Sequence, residues 1–147
     1  MIDAFYRSAL EKVFIPKQYG DVFNPIGLHE AEHVKFLSGA LGAAAVKRPN
    51  ADFIADGKYA DVFSNFDTFL TLSQTFEDLD VTAYKGLAGN LMENGDILTA
   101  ALQIHSVEAR HAAVVRRIGG KKAWDGAFDE LKTKEEILAA ATPFLKA

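Results

Sequence analysis

Two short motifs repeat at one fixed spacing, and this repeat is the feature that most limits what the chain can fold into. A tyrosine, a glutamate and a histidine recur with the same separations 78 residues further along the chain. The first set is Tyr6, Glu30 and His33, and the second set is Tyr84, Glu108 and His111. A glycine-containing break follows each Glu-x-x-His motif, at Leu41-Gly42 and at Gly119-Gly120. Duplication of a helical hairpin is the simplest explanation.

The Glu-x-x-His spacing is typical of metal ligands carried on a helix. Residues three apart lie on one helix face, so a carboxylate and an imidazole can reach the same point beside the helix. In dinuclear carboxylate proteins built on four-helix bundles, two helices each supply such a pair and the other two each supply a glutamate. The second half of the chain fits this pattern, because Glu77 lies seven residues before Tyr84. The equivalent glutamate of the first half would precede residue 1.

Hydrophobic periodicity predicts four core helices followed by a short C-terminal helix. The predicted core helices cover residues 2–13, 25–46, 59–84 with a distortion near Asp80, and 96–118. The connection at 47–58 is long enough to cross the length of a bundle, at roughly 3.3–3.6 Å per residue. We therefore expect an all-α four-helix bundle with a long crossover between helices 2 and 3. It would form one domain over 1–147, with the core bundle at 1–118 and an appendage at 119–147.

The predicted appendage carries two local features. Thr133 followed by Glu136 predicts a capping box at the start of the short helix. The aromatic residues Trp124, Phe128 and Phe144 are expected to cover one end of the bundle. No second domain is expected.

Composition excludes several classes of protein. The chain has 147 residues and 49% hydrophobic content, enough to form a core without covalent cross-links. There is no cysteine, so disulfides and thiolate metal sites are excluded. A net charge of -4 without a basic stripe disfavours nucleic acid as a partner. No run of about 20 apolar residues predicts a membrane span.

The ligand candidates lie within the apolar stripes of the predicted helices. Burying Glu30, Glu77 and Glu108 close together would cost several kcal/mol unless cations are present or the carboxylates share protons. Two divalent ions bridged by Glu30 and Glu108 would satisfy these groups. His33 would bind one ion, and Glu77 and His111 would bind the other. Mixed imidazole and carboxylate ligands favour iron or manganese, with zinc as an alternative.

A structural interpretation of the same residues stays open. A single Glu-x-x-His motif is more often a surface or structural pair than a set of ligands. Tyr6 and Tyr84 are expected to bond a ligand carboxylate of a neighbouring helix, or to be ordinary core tyrosines. His29 and His105 have no counterparts in the repeat, so we expect neither to bind metal.

The sequence resembles the ferritin-like domain family that includes bacterial exported ferritin-like proteins and plant desiccation-related proteins. The resemblance covers nearly the whole chain and is carried by Thr75 to Ile118, with its Val-Thr-Ala-Tyr and Ser-Val-Glu-Ala-Arg-His-Ala segments, by Glu30-Ala31-Glu32-His33 and by Trp124-Asp125-Gly126-Ala127-Phe128-Asp129. It implies a ferritin-like four-helix bundle with metal ligands at Glu30, His33, Glu77, Glu108 and His111. It also implies that members are often exported, although the chain as given shows no signal peptide.

The chain departs from the family at its first helix, which is expected to be truncated. The family carries a glutamate seven residues before the first tyrosine, a position that lies outside the sequence given. Asp3 lies about one turn nearer Tyr6 than that position and could substitute for the glutamate. We therefore expect the ion held by His33 to be bound more weakly than the ion held by Glu77 and His111.

Two classes of function remain open on the sequence. The first is a di-metal protein in which two iron or manganese ions carry out iron oxidation, or react with peroxide or dioxygen. The second is a noncatalytic protein that protects against stress or desiccation, with an incomplete or vestigial metal site. Self-association into a homo-oligomer is a further possibility, favoured by an exposed apolar groove beside a short first helix. Fold resemblance alone does not choose between them.

Overall fold

The computed structural model describes residues 1–146, and in these residues the regular secondary structure is almost entirely helical. Five α-helices are present: α1 (Ile2–Leu10), α2 (Gly20–Leu41), α3 (Phe66–Leu87), α4 (Gly95–Ile118) and α5 (Lys134–Ala141). Short 3-10 turns flank them at Lys17–Tyr19, Gly42–Ala44, Ala88–Leu91 and Thr142–Phe144. The strands β1 (Asn50–Ala51) and β2 (Leu145–Lys146) are the only sheet in the described part. The all-α prediction is confirmed.

The described residues separate into two compact units, which share helix α3 along the sequence. The first unit contains Met1–Phe69 and the C-terminal residues from Pro143, and the second contains Leu70–Thr142. The first unit therefore holds α1, α2 and the β1–β2 pair. The second holds most of α3 together with α4 and α5.

In the first unit, α1 packs against α2, and the two helices approach closely at Gly27. A Cβ atom at Gly27 would lie 2.7 Å from Leu10 Cδ1 and 3.5 Å from Tyr6 Cβ. The missing side chain therefore leaves space that α1 occupies. The strands β1 and β2 pair antiparallel in the same unit, with Asn50 opposite Lys146.

Aromatic rings form the core of the first unit. Phe69, at the start of α3, is fully buried, and its ring lies 5.3 Å from Phe5 and 5.0 Å from Phe23 between centroids. Edge and stacked contacts of this kind add roughly 0.5–1.5 kcal/mol per pair beyond area burial.

The bounds of α2 differ from the prediction at both ends. The helix begins at Gly20 rather than near Pro25, so Pro25 lies inside the helix, where its missing N–H cannot donate to a backbone carbonyl. It ends at Leu41 rather than at Val46. Gly42 has φ +52°, in the left-handed region that glycine adopts without a steric penalty, and this turns the chain out of the helix.

The connection between α2 and α3 is longer than predicted, since it covers 42–65 rather than 47–58. Positive φ at Ala55, Asp56 and Gly57 excludes a helix over these three residues, as predicted, and turns continue through 59–64, where a helix was expected. Helix α3 begins only at Phe66, where Asn65 Oδ1 accepts hydrogen bonds from the backbone of Asp67 at 3.0 Å and Thr68 at 3.4 Å. The helix then continues to Leu87, so the predicted distortion near Asp80 does not interrupt it.

The other helix ends fall closer to the prediction. Helix α1 ends at Leu10, three residues before the predicted Val13. Helix α4 begins one residue before the predicted Asp96, with Asn94 as its N-cap. Helix α5 has the predicted capping box, because Thr133 Oγ1 accepts from the Glu136 backbone at 3.3 Å and Glu136 Oε2 accepts from the Thr133 backbone at 2.8 Å.

The prediction that Trp124, Phe128 and Phe144 together cover one end of a bundle is wrong. Trp124 is 70% exposed and Phe128 is 94% exposed. Both line an open cavity of about 930 Å³ in the second unit. Phe144 alone is buried, in the first unit, where its ring lies 6.0 Å from that of Tyr59.

Candidate metal centre

Helix α4 carries two buried polar residues on its apolar face. Its N-terminus is held by Asn94, whose side chain accepts a hydrogen bond from the Ile97 backbone at 3.2 Å. The buried face of the helix consists of Ala100, Ala101, Ile104, Glu108, His111, Ala112 and Val115. Glu108 and His111 are spaced three apart, so the apolar periodicity that buries the helix also buries this pair.

Helix α3 buries Glu77 in the same way. Leu70, Ser73 and Val81 share its face at helical spacing and are also buried. Glu77 itself has no exposed surface. A carboxylate in such a position is expensive unless a cation or hydrogen-bond donors stabilise its charge.

The imidazole of His111 lies between two carboxylates. His111 Nδ1 is 3.4 Å from Glu77 Oε2 and 3.2 Å from Glu108 Oε2. The three side chains therefore form a buried polar cluster in the second unit.

In the first unit, helix α2 carries the other Glu-x-x-His pair. Glu30 is 4% exposed, and its Oε1 lies 3.7 Å from His33 Nδ1. The side chain of His33 is 15% exposed, so it is less buried than its counterpart His111 at 7%. The two predicted Glu-x-x-His pairs thus both exist as spatial pairs on their helices.

Four of the predicted ligand residues form one group in the described part of the chain. Glu30, Glu77, Glu108 and His111 each offer one ligand atom, and these atoms lie within 4.8 Å of one another. All four residues are buried. His33 is not a member of this group. That these residues bind metal stays a prediction.

The predicted roles of the two tyrosines also stay predictions. Tyr6 is fully buried on α1, with its ring 6.1 Å from that of Phe69. Tyr84 is half-buried on α3. Asp3, the suggested substitute for a first-helix glutamate, is engaged with another group, because Arg48 Nη2 donates to its Oδ2 at 2.5 Å.

The two remaining histidines lie outside the four-residue group. His29 is exposed on α2. His105 is half-buried on α4, and its Nε2 is buried without a hydrogen-bond partner among the described residues. Burial first, and then the nearby charge of Lys85, lower the pKa of His105. Its neutral form is therefore favoured at neutral pH.

Ser73 is a residue of this region for which the sequence predicted no role. Ser73 has no exposed surface, and its hydroxyl has no hydrogen-bond partner among the described residues. The sequence contained a signal for it, since a serine lies in an otherwise apolar stripe four residues before Glu77.

The donor set defines a class of site. Three carboxylates and an imidazole are the ligands that iron, manganese and zinc share in proteins, and iron or manganese suits the excess of oxygen donors. Glutamates and Glu-x-x-His motifs on separate helices are the arrangement of dinuclear carboxylate proteins. The all-α fold and the buried Glu and His residues therefore define a helical protein with a possible metal-carboxylate site.

Comparison with known families agrees with this class. Residues 1–121 match the model of a ferritin-like domain, so the chain belongs to the ferritin-like domain family. The resemblance inferred from the sequence motifs is confirmed. Among curated proteins, none matches the chain.

Nothing in the described helices indicates a transmembrane segment. None of them combines the length and the hydropathy needed to cross a bilayer.

Proposed function

We propose that this protein binds two first-row divalent metal ions, iron or manganese, and uses them for redox chemistry with dioxygen or peroxide. The observation that carries the proposal is the buried group of Glu30, Glu77, Glu108 and His111, whose ligand atoms lie within 4.8 Å of one another in a ferritin-like domain. Burial of three carboxylates so close together favours binding of cations. Zinc fits the same donors and is an alternative ion.

Each ligand has a distinct part in this proposal. Glu30 and Glu108 would bridge the ions, Glu77 and His111 would bind one of them, and His33 would bind the other. His33 lies outside the four-residue group, although it is 3.7 Å from Glu30. We therefore expect the ion beside His33 to be the more weakly held.

The metal ions would supply the electron transfer, and the protein would supply their geometry and surroundings. Apolar residues of α3 and α4 exclude bulk water from the carboxylates, which strengthens their electrostatic attraction for cations. His111 is held by its two carboxylate neighbours, which restricts its orientation. Oxidation of iron(II), or removal of peroxide, would be the concrete activity.

The first test is the metal content of the purified protein, by elemental mass spectrometry after anaerobic loading with iron(II) or manganese(II). About two ions per chain supports the full site, and about one supports the asymmetric site. No bound ion would refute the metal proposal. Glu108→Gln should lose tight binding of both ions, whereas Glu32→Gln changes an exposed glutamate of the same motif and should not.

The second test addresses the redox activity. The loaded protein is exposed to dioxygen or to peroxide, and loss of iron(II) or of peroxide is followed against an equal concentration of free metal. His111→Ala should remove the activity, and His29→Ala, on an exposed position of α2, should retain it. A rate equal to that of free metal would leave binding in place but refute the redox role.

A noncatalytic function is the second candidate, and the position of His33 favours it. An ion with fewer protein ligands is held less tightly, so a complete dinuclear site would form less readily, and the more tightly held ion alone would act as a structural staple within a stress-protective or binding protein. In that case metal would stabilise the fold without turnover. Metal-dependent stability combined with no peroxide or iron(II) consumption would identify this function.

A further inference from the structure

The hydroxyl of Ser73 is buried without a protein partner. Ser73 lies within α3 and has no exposed surface. Its Oγ makes no hydrogen bond to any group of the described chain. A buried polar group without a hydrogen bond loses its hydration and gains nothing in return, so such a group needs an explanation.

Other hydroxyls on the long helices do find partners, and these partners are carbonyls of their own helix. Thr75 Oγ1 donates to the Thr71 carbonyl at 2.9 Å, and Thr82 Oγ1 donates to the Leu79 carbonyl at 2.8 Å. Ser106 Oγ donates to the Gln103 carbonyl at 2.8 Å. This local bond is the usual solution for a serine or threonine inside a helix. Ser73 is buried more deeply than these residues but does not use it.

The position of Ser73 associates it with the candidate metal centre. It precedes Glu77 by four residues, so the two side chains lie on the same face of α3, about one turn apart. Glu77 in turn lies 3.4 Å from His111. The unpartnered hydroxyl and the carboxylate cluster therefore belong to the same buried face of the second unit.

We infer that Ser73 binds a small oxygen ligand, in the first instance a water molecule, in the core beside Glu77. The inference rests on the proposed function in one respect: in the loaded protein this oxygen ligand would also be a ligand of a metal ion. Ser73 would then be a positioning residue, because it holds the ligand through a hydrogen bond and does not itself touch the metal. A small polar ligand suits the site, since a buried water commonly satisfies polar groups that no protein atom reaches.

A structure of the metal-free protein at high resolution tests the inference directly. We expect density for a water within hydrogen-bond distance of Ser73 Oγ, and loss of that density in Ser73→Ala. A Ser73 hydroxyl bonded to a helix carbonyl, or one with no density near it, would overturn the inference.

Urea unfolding of the metal-free protein provides the same test in solution. Ser73→Ala is compared with Ser106→Ala, which changes a hydroxyl already satisfied by its own helix and has the same gain in helix propensity. If Ser73 holds a water, its variant should have the lower urea midpoint of the two. An equal or higher midpoint would mean that the hydroxyl has no ligand, because removing an unpartnered polar group does not destabilise a core.

Loading the same crystals with manganese(II) separates this inference from the proposed function. Metal density with an oxygen atom between the ion and Ser73 supports both. A water at Ser73 without metal density refutes the metal proposal and leaves the oxygen site standing. Metal density with no oxygen ligand at Ser73 supports the metal proposal and refutes the oxygen site.

Discussion

At the scale of single residues, the candidate centre combines burial with like charge. Glu77 and Glu108 are essentially inaccessible to solvent, and both lie within 3.4 Å of the same nitrogen of His111. Two ionised carboxylates so placed repel each other unless a cation or a shared proton lies between them. Residues that are placed to bind a ligand in this way lower the stability of the metal-free protein.

Glu77→Gln should therefore raise the stability of the metal-free protein while it removes metal binding. Loss of one buried negative charge is expected to raise the free energy of unfolding by about 1–2 kcal/mol at pH 7. The measurement is urea unfolding in the presence of a chelator, with metal content determined separately. Glu32→Gln is the control at an exposed position. A less stable Glu77→Gln protein would contradict the expected repulsion.

His105 should make the stability of the protein decrease toward acid pH. Burial lowers its pKa in the folded protein from the ordinary value of 6.5, so protonation favours the unfolded chain. The stabilisation that the neutral His105 imidazole contributes is complete above pH 6.5, and it is lost as the pH falls from 6.5 toward the pKa in the folded protein. The urea midpoint should thus fall more between pH 7.5 and 5.5 in the wild type than in His105→Gln. Equal changes in both proteins would refute this assignment.

At the scale of helices and segments, ion pairs hold residues 123–132 against α3 and α4. Arg116 on α4 donates to Asp78 at 2.9 Å and to Asp125 at 3.3 Å. Lys85 on α3 donates to Asp129 at 2.8 Å, and this hydrogen bond lowers the pKa of Asp129. Each pair is at least partly exposed, so each contributes little alone. Two individually weak ion pairs, Arg116–Asp125 and Lys85–Asp129, therefore join this segment to the helices.

The capping box of α5 should respond to acid. The backbone hydrogen bond from Thr133, followed by the Thr133 side chain, lowers the pKa of Glu136 below its ordinary value of 4.5. Because the folded pKa is the lower one, the bond contributes above pH 4.5 and is lost as the pH falls through the folded pKa. NMR should show the Thr133 amide shift titrating with a midpoint below 4.5. Glu136→Gln should abolish this titration, and a midpoint at or above 4.5 would contradict the hydrogen bond.

At the scale of the whole molecule, the ferritin-like domain covers residues 1–121, and the proposed ligands come from three helices that are distant in sequence. An ion bound by residues of α2, α3 and α4 has no comparable site in the unfolded chain. Metal binding is therefore coupled to folding. This coupling gives the metal proposal a readout that does not depend on catalysis.

Metal loading should raise the thermal unfolding temperature. At a free metal concentration about 100 times the Kd, one site contributes roughly 2.7 kcal/mol, which corresponds to about 5–11 °C for a chain of this size. Differential scanning calorimetry with manganese(II) or iron(II), followed by chelation, would measure the shift and its reversal. The Glu108→Gln protein should show no shift. An equal shift in that variant would place the metal at another site.

Much of this molecule could be predicted from the sequence because the informative patterns are local. The i, i+3 spacing places Glu108 and His111 on one face wherever the helix packs, and the Thr133 to Glu136 box needs only four consecutive residues. The bounds of the helices were less predictable. The sequence predicts a break at Leu41-Gly42, but that Gly42 ends α2 depends on its positive φ. Nothing in the local pattern excludes a helix at 59–65.

The sequence alone determined the class of fold and the identity of the candidate ligands, since helical periodicity and the spacing of chemically distinctive residues are properties of the chain. Only the tertiary structure decided which of these residues meet, because burial and distance depend on contacts between remote segments. It grouped Glu30 with Glu77, Glu108 and His111, left His33 outside that group and paired Asp3 with Arg48. It also showed Trp124 exposed and the Ser73 hydroxyl unpartnered, and neither fact follows from periodicity.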